Sequence, residues 1–258
     1  MYYMIELKSP REIAKMRAAG RIVAEIYEVL AEAIQPGVRL RELDRIAEKY
    51  LRSQGAEPLY KGYRGSAGQN PPFPGVICTS VNEEICHGLP DSRVLREGDI
   101  VSIDVGLKYQ GYCGDSCVTF PVGEIAPETQ RLLDVARESL RVGIEAAQAG
   151  NYLNAIGAAI EEYARPHRVS VVRDRVGHGI GKKLHEAPSV VHVRQPGRGP
   201  KLRPGMVFTV EPMINLGTYR LKTLDDGWTD VTADGALSAQ FEHTIAITEN
   251  GPDILTKL

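Results

Sequence analysis

The chain has 258 residues, a formal net charge of −2, and 43% hydrophobic and 25% charged residues. That balance is ordinary for a globular protein and argues against a disordered chain or a coat for nucleic acid. No apolar run is long enough for a membrane span, and the first eight residues lack the basic-then-apolar layout of a signal peptide. The four cysteines include no CxxC and cannot build a disulfide framework. A cytoplasmic protein with reduced thiols is expected.

Ser9, Pro10 and Glu12 carry the start signal of a helix: a capping hydroxyl, a proline at the first helical position, and a carboxylate three residues after the cap. Apolar residues then recur at helical spacing from Ile13 to Ile34, until Pro36-Gly37 stops the run. A second helix is predicted from Leu40 to near Gly55, followed by a Gly/Pro/aromatic loop over 58–74 and strands over 76–80, 100–107 and 112–120. After Gly123 the order repeats, with helices over 132–147 and 153–163 and strands over 169–173, 206–211 and 241–248. Each half reads helix, helix, strands, without a residue-level repeat. Such grouping predicts an α+β fold, with the helices on one side of a shared sheet and a cleft between the halves.

Alternation places Val101, Ile103, Val105 and Leu107 on one face of the second strand, with Ser102, Asp104 and Gly106 on the other. Its partner puts Cys113, Asp115 and Cys117 on the polar face. A turn centred between Tyr109 and Gln110 sets Asp104 directly opposite Asp115, where like charges repel unless a cation lies between them. Four of the six histidines fall between His167 and His192. Among them, His178 sits in a Gly-His-Gly loop. Glu211 ends a strand, and Glu242 lies within one, where an unpaired carboxylate is costly to bury. Taken singly, each has an ordinary reading: surface aspartates, a turn histidine, a strand-end charge, a salt-bridged strand residue. Together they form an oxygen-rich set able to hold two divalent ions about 3.5–4 Å apart.

The segments 77–88 (ICTSVNEEICHG), 98–105 (GDIVSIDV), 177–181 (GHGIG), 185–188 (HEAP), 206–212 (MVFTVEP) and 238–244 (SAQFEHT) resemble the methionine aminopeptidase family, type I, of bacterial form. The resemblance runs over nearly the whole chain. It implies the pita-bread fold as a single catalytic domain over 1–258, with pseudo-symmetric halves of about 1–122 and 123–258 around a dinuclear metal site. It implies Asp104, Asp115, His178, Glu211 and Glu242 as ligands, with Asp115 and Glu242 bridging. His87, His185 and Glu211 become the catalytic residues. Tyr60, Tyr63, Phe73, Cys78, His87, Leu184, His185 and Trp228 become the substrate pocket. Asn82, Glu84 and Ser238 match a monovalent-cation site built partly from carbonyls. The implied activity is removal of N-terminal methionine from peptides and nascent chains with a small second residue, by a monomer using two ions of Mn, Fe, Co or Zn.

Three features depart from the family pattern. Residues 66–72 are extra, Leu184 replaces a frequent aromatic, and Cys113 stands where histidine is frequent, beside Asp115 on one strand face with Cys117. A thiolate ligand there would favour softer metals. Residues 166–205 hold nine Lys/Arg against two acids. This is either a solvated basic face or an electrostatic dock for the RNA phosphates of the ribosome. Two competing readings are a proline-specific peptidase on the same fold and a metal-free binding module. The second requires lost ligands, and all five ligand positions are filled here.

Overall fold

A computed structural model describes residues 5–65 and 67–258. The first helix, α1 (Pro10–Ala33), begins as its sequence dictates: the Ser9 hydroxyl accepts from the Glu12 N–H, and the Glu12 carboxylate accepts from the Ser9 N–H. After α2 (Leu40–Ser53) the chain runs through short strands β1 (Glu57–Pro58), β2 (Cys78–Val81) and β3 (Glu84–Cys86) into the long hairpin of β4 (Ile100–Tyr109) and β5 (Tyr112–Pro121). Helices α3 (Pro127–Ala146) and α4 (Asn154–Ala164) open the second half. Nine mostly short strands follow in order: β6 (Ser170–Val171), β7 (Gly177–Gly179), β8 (Glu186–Val190), β9 (Val207–Val210), β10 (Met213–Asn215), β11 (Leu221–Thr223), β12 (Asp230–Thr232), β13 (Ser238–Gln240) and β14 (Glu242–Thr248). A last strand, β15 (Gly251–Ile254), pairs with β14.

Nine strands form one sheet with the path β1-β4-β5-β14-β9-β7-β8, with β2 on β4 and β15 on β14. The antiparallel pairing of β14 with β5 joins the two halves. Each helix pair covers its own half. Val101, Ile103, Val105 and Leu107 pack under α1 and α2 with Ile22, Leu30 and Leu43. Phe208, Val210, Ile245 and Ile247 pack under α3 and α4 with Leu132, Leu140 and Ile156. The predicted apolar face of β4 is therefore the core face. Glycine permits a close approach of α1 to the segment just after β15: a Cβ on Gly20 would lie 2.2 Å from the Leu255 carbonyl oxygen. Two further three-stranded sheets, β13-β10-β6 and β11-β12-β3, line the open side.

The hairpin register corrects the sequence expectation. Tyr109 pairs with Tyr112, so the turn is the two-residue Gln110-Gly111, both with positive φ (50° and 82°). Asp104 faces Cys117, and Asp115 faces Gly106. The slip is two residues, which keeps every side chain on its expected face; a slip of one would have reversed them. The two aspartates are diagonal neighbours rather than directly opposed.

Candidate metal centre

The first half contributes two carboxylates from the polar face of the hairpin. Gly106 lies between them because a Cβ there would come within 2.7 Å of the Tyr60 ring. The ring crosses that gap, and its hydroxyl lies 2.5 Å from Asp104 Oδ1 and 2.8 Å from Asp115 Oδ1. Burial first, then the two aspartates, raise the Tyr60 pKa well above its ordinary value, so the phenol keeps its proton and donates.

The second half brings three side chains to the same point. His178, in β7, sets Nδ1 3.1 Å from the Gly179 carbonyl and aims Nε2 at the acids, 3.5 Å from Asp115 Oδ2 and 3.8 Å from Glu211 Oε1. Glu242 opens β14 opposite Cys117, on the face that carries Asp115. Asp115, His178 and Glu242 offer ligand atoms within 4.8 Å of one another. Asp104 joins them through Tyr60, and Glu211 through His178.

The electrostatics of this group ask for a cation. Burial, followed by Asp115, raises the Asp104 pKa well above the carboxylate range; burial, followed by Glu211, does the same for Glu242. Burial lifts Glu211 to about 7, against the pull of His178. For His178 burial opposes the charge, but the bond to Asp115 and the field of Glu211 prevail and raise it to about 9. Glu242 Oε1 is buried and meets no donor. Oxygen donors with one imidazole, one of them orphaned in the interior, are a chemistry that divalent ions satisfy.

Thr209 aligns two members of the set, accepting the His178 N–H at 2.9 Å and donating to Glu211 Oε1 at 2.7 Å. The buried His192 accepts the Glu211 N–H on Nε2 at 3.0 Å. Neither role was read from the sequence. The clustering of histidines was the available signal for His192; nothing local marks Thr209.

A cavity of about 720 Å³ opens above the carboxylates. Phe73 stands edge-on to Trp228 at 5.3 Å and to Tyr60 at 6.3 Å, and Tyr63 lies 6.0 Å from Trp228. Cys78 and the partly buried Leu184 complete this apolar cluster. The extra loop buttresses it: the Trp228 indole N–H donates to the Pro71 carbonyl at 2.9 Å, and the Asn70 amide donates to the Gly227 carbonyl at 2.7 Å. Ser66, the first residue of that insertion, lies outside the described residues. His87 and His185 both line the cavity. His185 sits on its rim, with its ring 4.4 Å from that of His178; burial and then His178 lower its pKa to about 4.

Burial pushes the Cys113 thiol up to about 12 and raises that of Cys117 well above its ordinary value. Among the described residues, neither belongs to a group close enough to share an ion. At the expected monovalent site, the Ser238 N–H donates to the Asn82 carbonyl at 2.9 Å, so these segments do meet. The Glu84 carboxylate accepts from the Val81 N–H and from Arg93, while the buried Ser238 hydroxyl oxygen meets no partner.

Residues 14–249 match the profile of "Metallopeptidase family M24". The chain is 52% identical over 255 residues to methionine aminopeptidase 1 of Bacillus subtilis, covering 99% of this chain and 100% of that relative. It superposes with a TM-score of 0.93 on the crystal structures of methionine aminopeptidase from Rickettsia prowazekii and from Thermotoga maritima. Sequence identity is 41% and 42%, covering 98% and 99% of this chain and 100% of each structure. The fold is accordingly the pita-bread fold, and the chain belongs to metallopeptidase family M24, within its methionine aminopeptidases.

Proposed function

We propose that the chain hydrolyses the bond after an N-terminal methionine, and that Asp104, Asp115, His178, Glu211 and Glu242 would hold two divalent ions, with Asp115 and Glu242 serving both. The observation that carries this reading is the meeting of these five side chains, from both halves, at the floor of one aromatic-walled cavity. When bound, such ions acidify water toward neutral pH and polarise a carbonyl. Glu211 takes the proton of the attacking water and returns it to the leaving amine. His185, neutral at working pH, donates to the carbonyl oxygen as negative charge develops on it. His87 bonds the scissile amide. The substrate's free α-amine lies at the Asp104 end, which restricts cleavage to the first bond, and a small second residue is preferred. Tyr60, Tyr63, Phe73, Cys78, Leu184 and Trp228 receive the methionine side chain, whose polarisable sulfur suits a thiol and aromatic faces.

Residues 1–258 serve as one catalytic domain with halves at about 1–122 and 123–258; the two helix-covered cores and the β5–β14 seam support that division. We place the enzyme in the cytoplasm as a monomer; among the described residues no helix is long and apolar enough to cross a membrane. The metal is Mn, Fe, Co or Zn, with a monovalent cation held at Asn82, Glu84 and Ser238, partly by carbonyls. Docking to ribosomal RNA through 166–205 is supported by the exposure of Lys182, Lys183, Arg198, Lys201 and Arg203, although Arg175 turns inward to Asp230. It predicts co-sedimentation that weakens steeply with salt. The activity test is hydrolysis of Met-Ala-Ser by metal-stripped protein, with each metal added in turn, against Xaa-Pro peptides. Turnover without metal, or equal cleavage of Xaa-Pro peptides, would refute the reading.

A further inference from the structure

Beside the carboxylate group lies a second cluster, of which the mechanism above uses only His87. Asp230 is fully buried in β12 and is the cross-strand partner of Cys86 in β3. Its Oδ1 accepts from the Thr223 hydroxyl at 2.7 Å. Its Oδ2 accepts from Arg175 Nε at 2.6 Å, with Nη2 of the same ion pair also 2.6 Å away, and from the Cys86 thiol at 3.4 Å. Cys86 Sγ also lies 3.7 Å from Nδ1 of His87. His87 holds a left-handed backbone (φ 58°), unusual for a residue other than glycine, and the following Gly88 is fastened by its N–H to Ser80 Oγ and by its carbonyl to the Thr79 N–H. A strained conformation held this firmly fixes where the imidazole points.

Cys86, His87 and Asp230 are near enough to share a metal ion. The guanidinium argues against that use: it occupies the same Asp230 oxygen with two nitrogens, and its positive charge stands where a cation's would. The thiol has one proton, and the ionised Asp230 is the stronger acceptor for it. The bond to His87 must then be supplied by the imidazole, as Nδ1–H directed at the sulfur lone pair. Asp230 is too far from Nδ1, at 3.8 Å, for a direct bond, but its negative charge favours a proton on that nearer nitrogen. Arg175 compensates the charge, so a buried carboxylate can stay ionised without drawing the imidazole into an ion pair.

We propose that Cys86 and Asp230 are positioning residues for His87, holding its proton on Nδ1 and leaving Nε2 as an acceptor facing the cavity. This rests on the reading of His87 as partner of the scissile amide, whose N–H such an Nε2 accepts. Arg175 belongs to the device as the counter-charge that links the segment before β7 to the sheet carrying His87 and Trp228.

The test uses the metal-loaded enzyme. Long-range ¹H–¹⁵N spectra of histidine-labelled protein should show His87, assigned by its loss in His87→Gln, with a protonated Nδ1 and a bare Nε2. Cys86→Ala should mix the tautomers and lower kcat on Met-Ala-Ser about tenfold, with KM within about twofold and metal content unchanged. Cys86→Ser retains a donor and an acceptor and should recover kcat to within about threefold of wild type. A wild-type His87 protonated on Nε2 would overturn the proposal. So would a Cys86→Ala enzyme that keeps both the wild-type tautomer and the wild-type kcat, or one that loses an equivalent of metal. Unchanged kcat in His87→Gln would instead overturn the parent reading of His87, and is separable because the tautomer is measured without turnover.

Discussion

Asp115 accepts from Tyr60, lies 3.5 Å from His178, and shares the ion-sized group with Glu242. Asp115→Asn should therefore impair both ion sites, and Asp104→Asn mainly one; metal analysis after gel filtration separates the two, and equal losses would contradict the bridging assignment. His185 sits on the rim, outside the ion-sized groups among the described residues, so His185→Ala should keep its metals and lose on the order of 10²-fold or more in kcat, the scale of a lost oxyanion donor. In the pocket, Trp228→Ala removes the ring that Phe73 meets edge-on and should raise KM for Met-Ala peptides at constant metal content. Norleucine, lacking sulfur but matching the chain length, should be cleaved roughly 2–10-fold less well than methionine. Equal kcat/KM for leucine-led and methionine-led peptides would refute the pocket assignment.

At the scale of elements, α1 against the sheet and the hairpin turn are the points where single atoms decide stability. A methyl at Gly20 meets backbone, the Leu255 carbonyl at 2.2 Å, and backbone cannot step aside as a side-chain tip can. Gly20→Ala should cost about 1–3 kcal/mol, read as a shifted denaturation midpoint. The turn offers a milder comparison. Gly111 has φ 82° and open space around its Cβ position, so Gly111→Ala meets no clash and should lose only the backbone preference, about 1 kcal/mol or less. The reverse order of the two losses would show that α1 can pivot on the segment after β15. The extra loop belongs to this scale as well: through Pro71 and Asn70 it fastens the Trp228 turn. Its effect on the pocket is thus to stiffen the aromatic wall that Leu184 leaves softer.

Over the whole molecule, the carboxylate group makes stability depend on pH and on metal. Glu211 titrates near 7 in the folded chain against an unfolded value of 4.5, so the metal-free fold binds the extra proton. That contribution is fully present below pH 4.5 and is lost as pH rises through about 7. Asp104 and Glu242 are shifted in the same direction. His178, raised from 6.5 to about 9, likewise contributes below 6.5 and loses its contribution as pH rises through 9. The metal-free protein should therefore melt at a lower temperature at pH 8.5 than at pH 6. Divalent ions should raise Tm most at the higher pH, where the carboxylates are ionised and the imidazole is freer to ligate. A Tm for the metal-free protein that is flat or rising over that interval would contradict the assignment of these groups.

Local chemistry alone determined the helices, the core face of β4, and the residue types at the centre. The Ser9–Glu12 box, the alternation from Val101 to Leu107, and acids placed in strands are written in neighbours two to four residues apart, and the same contacts act in the folded chain. Hairpin register was less legible, because Gln110 takes a positive φ that glutamine does not advertise, and only its pairing partners reveal the two-residue turn. Short strands such as β7 and β12 were invisible for a related reason: three residues carry too little periodicity, and their ladders are supplied by distant segments. The support around the site depended on tertiary structure entirely. His192 on Glu211, Thr209 between His178 and Glu211, and Arg175 on Asp230 each join groups whose value lies in a hydrogen bond made in a desolvated interior. No spacing rule encodes such a bond; it exists only once segments far apart in the sequence meet in an interior that excludes water.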